Sequence, residues 1–287
     1  MHPFILLTLL LPAHGFAPLV TAFFALYDGA DASPTIKAKP DMILVHGAFH
    51  QPSCYVKVVA LLKAAHYTDI SVPDLPSVGN LVDRRPDIEA VRRTLLHRLD
   101  QGRDVVLVGN SYGATVISEA VKGLKHPPRG RILALVFISG YLPTINEVLH
   151  PETKSDIKTV VPSNFRIADC STKIYSNGDN ANFPPSKAFY NLLPPFEAAL
   201  WSKQLDYSSY AALNATATYI PYTGDFRCVY IVGKQDNSVP PEWAKTWYQQ
   251  SGAKMEVLIE DFDHVPMLSR PVELTKILRR IAGETLT

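Results

Sequence analysis

The stretch VVLVGNSYGATVISEAV, residues 105–121, decides the reading of this chain. Val105 to Val108 is a short, wholly apolar run of the kind that forms a parallel strand buried on both faces. Tyr112 onward reads as a helix, predicted to continue to Lys125, where Pro127 and Pro128 stop it. Between them Gly109-Asn110-Ser111-Tyr112-Gly113 fits G-x-S-x-G. Three fixed letters are a weak signal. Their place directly after a strand and before a helix is a strong one, because a tight turn there lifts a serine hydroxyl above the end of the sheet.

Working outward, Met42 to Val45 is a second buried strand, running into His46-Gly47. A helical pattern over residues 53–65 and a short strand at Ile70 to Val72 follow. Ile88, Val91, Leu95 and Leu99 then form a helical stripe, with Asp87 and Glu89 in the first turn, where the helix dipole favours acids. Ile132–Ile138, Val229–Val232 and Val257–Ile259 read as strands, with helices near 240–250 and 268–281. Strand and helix in alternation predict a doubly wound α/β domain with a mostly parallel sheet. The stretch 143–225 breaks the alternation and holds 8 of the 23 prolines and 11 of the 28 aromatic residues, Phe183, Phe189, Tyr190, Phe196, Trp201 and Tyr210 among them. It is too apolar for a linker and reads as a helical cap inserted in a single domain, residues 33–287.

A serine hydroxyl is a poor nucleophile near neutral pH, so Ser111 needs a base and the base needs a carboxylate. His264 follows the last strand in a loop, Asp261-Phe262-Asp263-His264, and is the candidate base. His66, His97 and His126 fall on or at the ends of helices, and His46 and His50 flank the first core loop, where a structural hydrogen bond suits them better. Asp236 follows a strand through Gly233-Lys234-Gln235 and is the candidate acid, with Asp261 and Asp263 as competitors too near His264 in sequence to meet its ring well. Oxyanion donors are expected at the backbone N–H of Tyr112 and, in the loop after the first core strand, of Ala48.

Composition narrows the rest. With 28 basic against 27 acidic side chains the net charge is +1, which leaves no electrostatic footprint for nucleic acid. Cys54, Cys170 and Cys228 are too few and too scattered for a disulfide framework or a zinc site. No HExxH, P-loop or GxGxxG at a strand-to-helix junction is present, so neither metal nor nucleotide cofactor is expected. Residues 1–32 contain the apolar run Phe4–Leu11, which reads as a signal peptide and places the protein in the secretory pathway, the alternative being an apolar helix on a cytoplasmic protein. Prolines and His14 interrupt it too soon for a transmembrane span. The sequon Asn214-Ala215-Thr216 is compatible with secretion.

Together ILVHGAFH (43–50), VVLVGNSYGATVISEAV (105–121), VYIVGKQDNSVPPEW (229–243) and DHVPMLSRPVEL (263–274) resemble the α/β-hydrolase superfamily, in particular the branch of plant methylesterases and hydroxynitrile lyases and its fungal relatives. In the cap, FYNLLPPFEAALW (189–201) is similar to fungal members, some of which serve secondary metabolism. The resemblance implies an α/β-hydrolase fold, the catalytic set Ser111, Asp236 and His264, and oxyanion donors at Ala48 and Tyr112. Two positions depart from the pattern: Asn110 stands where histidine is usual, and Ala114 where a second glycine is usual. The threonine and lysine shared by the cyanohydrin-cleaving lyases are replaced by Gly47 and Val265, which favours ester hydrolysis over the lyase. The expected activity is a cofactor-free serine esterase acting on a small to medium apolar ester. The alternatives are a ligand-binding protein or a non-hydrolytic tailoring enzyme on the same scaffold.

Overall fold

A computed structural model of the chain describes residues 38–161 and 163–286, so the leader reading of residues 1–32 lies outside the described residues. In chain order the strands are β1 (Asp41–Val45), β2 (Ile70–Ser71), β3 (Asp104–Asn110), β4 (Arg131–Ile138), β5 (Arg166–Ala168), β6 (Lys173–Tyr175), β7 (Ser208–Ser209), β8 (Cys228–Gly233) and β9 (Glu256–Glu260). The helices are α1 (Val56–Ala64), α2 (Arg85–Asp100), α3 (Tyr112–Ala120), α4 (Ile145–Leu149), α5 (Pro185–Ala188), α6 (Pro195–Ser202), α7 (Tyr210–Leu213), α8 (Pro241–Tyr248), α9 (Pro266–Ser269) and α10 (Pro271–Ile281).

Six strands form one sheet in the order β2-β1-β3-β4-β8-β9, with every neighbouring pair parallel. Val105 to Val108 lie at its centre, wholly buried, which is why that run carries no polar residue. The chain winds outward one way from β1 to β2 and the other way from β3 to β4. The loops leaving the carboxyl ends of β1 and β3 therefore diverge and open a crevice between them.

The segment between β4 and β8 carries α4 to α7 and a three-stranded antiparallel sheet, β5-β6-β7. The helices are as expected of the insertion, and the small sheet beside them is not foreseen. The strands are two or three residues long and too short to show a period, and the β5–β6 turn is made by Asp169, Cys170 and Ser171, all at positive φ. A buried ion pair holds the end of the insertion to the core. Arg84 Nη1 lies 3.0 Å from Glu119 Oε1, Arg84 also donates to the carbonyls of Ala212, Leu213 and Ala215, and Glu119 Oε2 accepts from Thr218 N and Oγ1.

Two local expectations are corrected. Helix α3 ends at Ala120, well short of Lys125, because Arg92 Nη1 takes the carbonyls of Ala120 and Lys122 and the chain leaves in tighter turns. Asp87 is in the first turn of α2 as expected, but Glu89 lies beyond that turn; Asp87 is also fully buried, accepting Ser77 N at 2.9 Å and Tyr112 Oη at 2.6 Å, and burial raises its pKa. Among the described residues no helix is long and apolar enough to cross a membrane. The sequon residue Asn214 accepts Lys154 Nζ and Ile157 N on its side-chain oxygen.

Candidate active site

Ser111 sits between β3 and α3 with φ 51° and ψ −121°, a left-handed backbone that a non-glycine residue adopts at a cost of about 1–3 kcal/mol. Three bonds hold it there: its N–H donates to Ile138 O at 3.0 Å, and its carbonyl accepts Ala114 N at 3.0 Å and Tyr141 N at 3.1 Å. The turn packs against the end of β1 so closely that a Cβ on Gly113 would stand 2.5 Å from His46 O. That approach explains the last glycine of the motif. The Ser111 hydroxyl makes no hydrogen bond with a described residue and lines a cleft.

His264 and Asp236 come together at the carboxyl ends of β9 and β8. His264 Nδ1 lies 2.9 Å from Asp236 Oδ2 and 3.1 Å from Oδ1. Facing a carboxylate, Nδ1 carries the ring proton, which leaves Nε2 with a lone pair. Asp236 is fixed in turn, Oδ1 accepting the N–H groups of Ser238 and Val239 at 2.8 Å. The Phe189 ring centroid lies 5.4 Å from that of the imidazole, the two planes tilted by 30°. Neither competing carboxylate turns toward His264. Asp263 accepts from Leu192 N, Val265 N and Ser269 Oγ, and Asp261 accepts from Gln235 Nε2.

The loop after β1 crosses directly above Ser111. A Cβ on Gly47 would lie 3.0 Å from Ser111 Cβ and 3.1 Å from Asn110 Oδ1, so only glycine passes without displacing one of them. His46 Nδ1 binds Gly47 O and His50 Nδ1 binds Ala48 O, both at 2.9 Å. Each Nδ1 faces a carbonyl and so carries the proton. His50 Nε2 then accepts from Tyr190 Oη at 2.9 Å. Burial lowers the pKa of His46 to about 4 and of His50 to about 3, so both rings are neutral at physiological pH. Phe49, at φ 68°, donates its N–H to Ser208 Oγ at 2.9 Å, and its carbonyl accepts Asp206 N at 3.0 Å. The peptide between Ala48 and Phe49 is thus gripped at both ends. Among the described residues nothing accepts from the N–H of Ala48 or of Tyr112.

Ala48, Ser111, Tyr112 and Ser238 line one cleft, walled by Tyr141, Ile157, Val160, Val161, Phe165, Leu213, Val239 and Trp243. The insertion contributes mainly aliphatic groups to this wall, against the expected aromatic cover. Phe196 and Trp201 turn elsewhere, Phe196 being 75% exposed, whereas Phe189 and Tyr190 support His264 and His50 from behind. The lining residues at 157–161 and 213 carry no sequence period that could have marked them. Among the described residues no group of histidine, cysteine and acidic side chains is placed to hold a metal ion.

Both departures from the family pattern have a local role. Asn110 is buried, and its Nδ2 donates to Ile138 O at 3.1 Å and His264 O at 2.9 Å, tying the serine turn to the histidine loop. The methyl of Ala114 fills the space against Gly140, where a further Cβ would stand 2.8 Å away.

A family model described as the alpha/beta hydrolase family matches residues 42–277. The alpha/beta hydrolase nvfD of Aspergillus novofumigatus is 26% identical over 258 residues, covering 86% of this chain and 98% of that protein. Methylesterase 7 of Arabidopsis thaliana is 28% identical over 260 residues, covering 84% of this chain and 96% of that protein. Among solved structures, tomato methylketone synthase I complexed with 2-tridecanone superposes with a TM-score of 0.65 at 22% identity, covering 85% of this chain and 98% of that one.

Proposed function

The chain belongs to the alpha/beta hydrolase family, and from that premise we propose that it is a serine carboxylic-ester hydrolase acting through an acyl-enzyme. The observation that carries the reading is the Asp236–His264 pair, buried and closed on Nδ1, together with Ser111 raised on a strained turn in an apolar cleft. Methylesterase 7, similar to this chain along 96% of its own length, agrees with it.

In this mechanism His264 Nε2 takes the Ser111 proton as Oγ attacks the ester carbonyl. The carbonyl oxygen becomes an oxyanion, met by the free N–H groups of Ala48 and Tyr112. Asp236 holds the imidazolium that forms. The tetrahedral intermediate collapses, the C–O bond to the alcohol breaks, and His264 returns the proton to the departing alkoxide. Water then enters and gives a proton to His264 as its oxygen attacks the acyl carbon; the bond to Ser111 Oγ breaks, His264 returns the proton to Oγ, and the acid leaves. The substrate is a small to medium ester, apolar beside the scissile bond, because Ile157, Val160, Phe165 and Leu213 offer no polar partner there.

The test is hydrolysis of p-nitrophenyl butyrate and hexanoate by wild type and Ser111→Ala. A fall in kcat on the order of 10³-fold or more is expected, and equal rates would overturn the proposal. Reaction with a fluorophosphonate probe followed by intact-mass analysis should place one adduct on Ser111, and the same spectrum reads whether residues 1–32 have been removed. Product analysis separates release of acid and alcohol from elimination or cyclisation in the same cleft. Saturable binding without turnover would mark a ligand-binding protein instead.

A further inference from the structure

Beside the Ser111 cleft lies a second chamber. Tyr141, Ile157, Val160, Leu213 and Trp243 line both, so the two spaces share one wall of side chains. Their chemistry differs. The cleft is apolar beyond its Ser111 end, whereas the chamber is lined by Arg84, Glu147, Lys154 and several hydroxyl and amide groups.

Most of these polar groups are already committed. The Arg84 charge is answered by Glu119. Glu147 is held at the start of α4, its N–H donating to Thr144 Oγ1 and its carboxylate accepting from that hydroxyl, both at 3.1 Å. Thr115 Oγ1 donates to Tyr141 O at 2.6 Å. Two donors remain. Lys154 Nζ donates to two neutral oxygens, Asn214 Oδ1 at 2.9 Å and Ser155 O at 3.0 Å, and among the described residues no carboxylate stands within ion-pair distance of it. An ammonium has three N–H groups, so one is left. Tyr141 Oη has no hydrogen-bond partner among the described residues. Its ring is fixed by edge contacts to Trp243 and Trp247 at centroid distances of 6.2 and 5.2 Å, and its backbone N–H donates to Ser111 O. Burial raises the phenol's pKa, which keeps it a donor.

We propose that the chamber receives the end of the ester remote from the scissile bond, and that this end carries an accepting oxygen, of a ketone or a carboxylate, bound by Tyr141 Oη and Lys154 Nζ. The substrate is then amphipathic, apolar where it crosses the shared wall and oxygenated beyond it. This rests on the reading of Ser111 as the reacting residue.

The experiment compares kcat/KM within two sets of esters on the full chain. The p-nitrophenyl esters of hexanoic acid, 5-oxohexanoic acid and adipic acid (monoester) place the oxygen on the acyl side. The acetates of 1-hexanol, 6-hydroxyhexan-2-one and 6-hydroxyhexanoic acid place it on the alcohol side. In one of the sets an oxygenated member should exceed the plain one by about tenfold. The ratio should collapse in the double variant Tyr141→Phe/Lys154→Met. A carboxylate preference lost in Lys154→Met should return in Lys154→Arg, whereas a ketone preference should fall chiefly in Tyr141→Phe. Ratios within about twofold of one in both sets, or a preference that survives the double variant, would overturn the proposal. Using ratios removes any loss of folded protein. A binding arm separates this failure from failure of the hydrolase reading. In Ser111→Ala, the fluorescence of Trp243 and Trp247 is followed while methyl hexanoate, methyl 5-oxohexanoate and monomethyl adipate are titrated. Tighter binding of an oxygenated ester by about fivefold or more supports the chamber even where wild type hydrolyses nothing. Equal affinities count against it.

Discussion

Asn110 joins two loops that are far apart in sequence. One amide group donates to a carbonyl on β4 and to the backbone of His264, so the turn carrying Ser111 and the loop carrying the imidazole are set against each other by a single side chain. An imidazole at this position would offer two nitrogens in a different geometry, and the amide's twin N–H groups match the two carbonyls. Asn110→Ala leaves the buried His264 carbonyl without a donor, a loss of about 1–3 kcal/mol. Urea denaturation should show that drop, and kcat on p-nitrophenyl butyrate should fall with KM little changed, since the imidazole loses its rest. A variant whose midpoint and kcat both match wild type would show that the two bonds contribute nothing.

At the level of elements, the loop after β1 is held in shape by the insertion. Phe49 keeps its left-handed backbone because Ser208 accepts its N–H and Asp206 donates to its carbonyl, while Tyr190 steadies His50 beneath Ala48. Ser208→Ala removes the acceptor, and the Ala48 N–H can then swing off the position where the oxyanion forms. On the proposed mechanism kcat falls by about tenfold, less than the 10²–10³ for losing a donor outright, with KM nearly unchanged. A rise in KM alone would place Ser208 in substrate binding instead. None of this is visible to a reading of the sequence, because Phe49 and Ser208 are 159 residues apart and nothing local marks their meeting. The core strands were legible, since buried parallel strands are short apolar runs ended by turn residues, and so were the loop positions of Ser111, Asp236 and His264 at their ends. The end of α3 was not, because a side chain from α2 sets it, and neither was the three-stranded sheet of the insertion, whose strands are too short to show alternation.

Over the whole molecule the near-zero net charge hides how many ionisable groups are buried, and these decide how stability follows pH. His46 and His50 are neutral in the fold for structural reasons. His46 Nε2 is buried without a partner among the described residues, and His50 Nε2 must keep its lone pair for Tyr190 Oη. Their pKa values stand at about 4 and about 3 in the folded chain against 6.5 unfolded. Between pH 6.5 and about 4 the unfolded chain therefore holds protons that the folded chain refuses, and stability falls as the solution is acidified. For His46 alone the loss approaches ~3 kcal/mol by pH 4. Asp87 and Asp263 act in the opposite sense. Burial raises both, so the folded chain binds the extra proton and their contribution weakens as pH rises from the unfolded value of 3.8 through their raised folded values. Comparing wild type with His46→Asn cancels the aspartates, because both proteins carry them, and asparagine can still donate to the Gly47 carbonyl. Urea denaturation at intervals from pH 7 to 4 should give a wild-type curve that steepens below pH 6.5 and a variant curve shallower by up to about 1.4 kcal/mol per pH unit, the slope of one proton. Parallel curves would mean that His46 takes up its proton in the folded chain, and the neutral state of its ring would have to be abandoned.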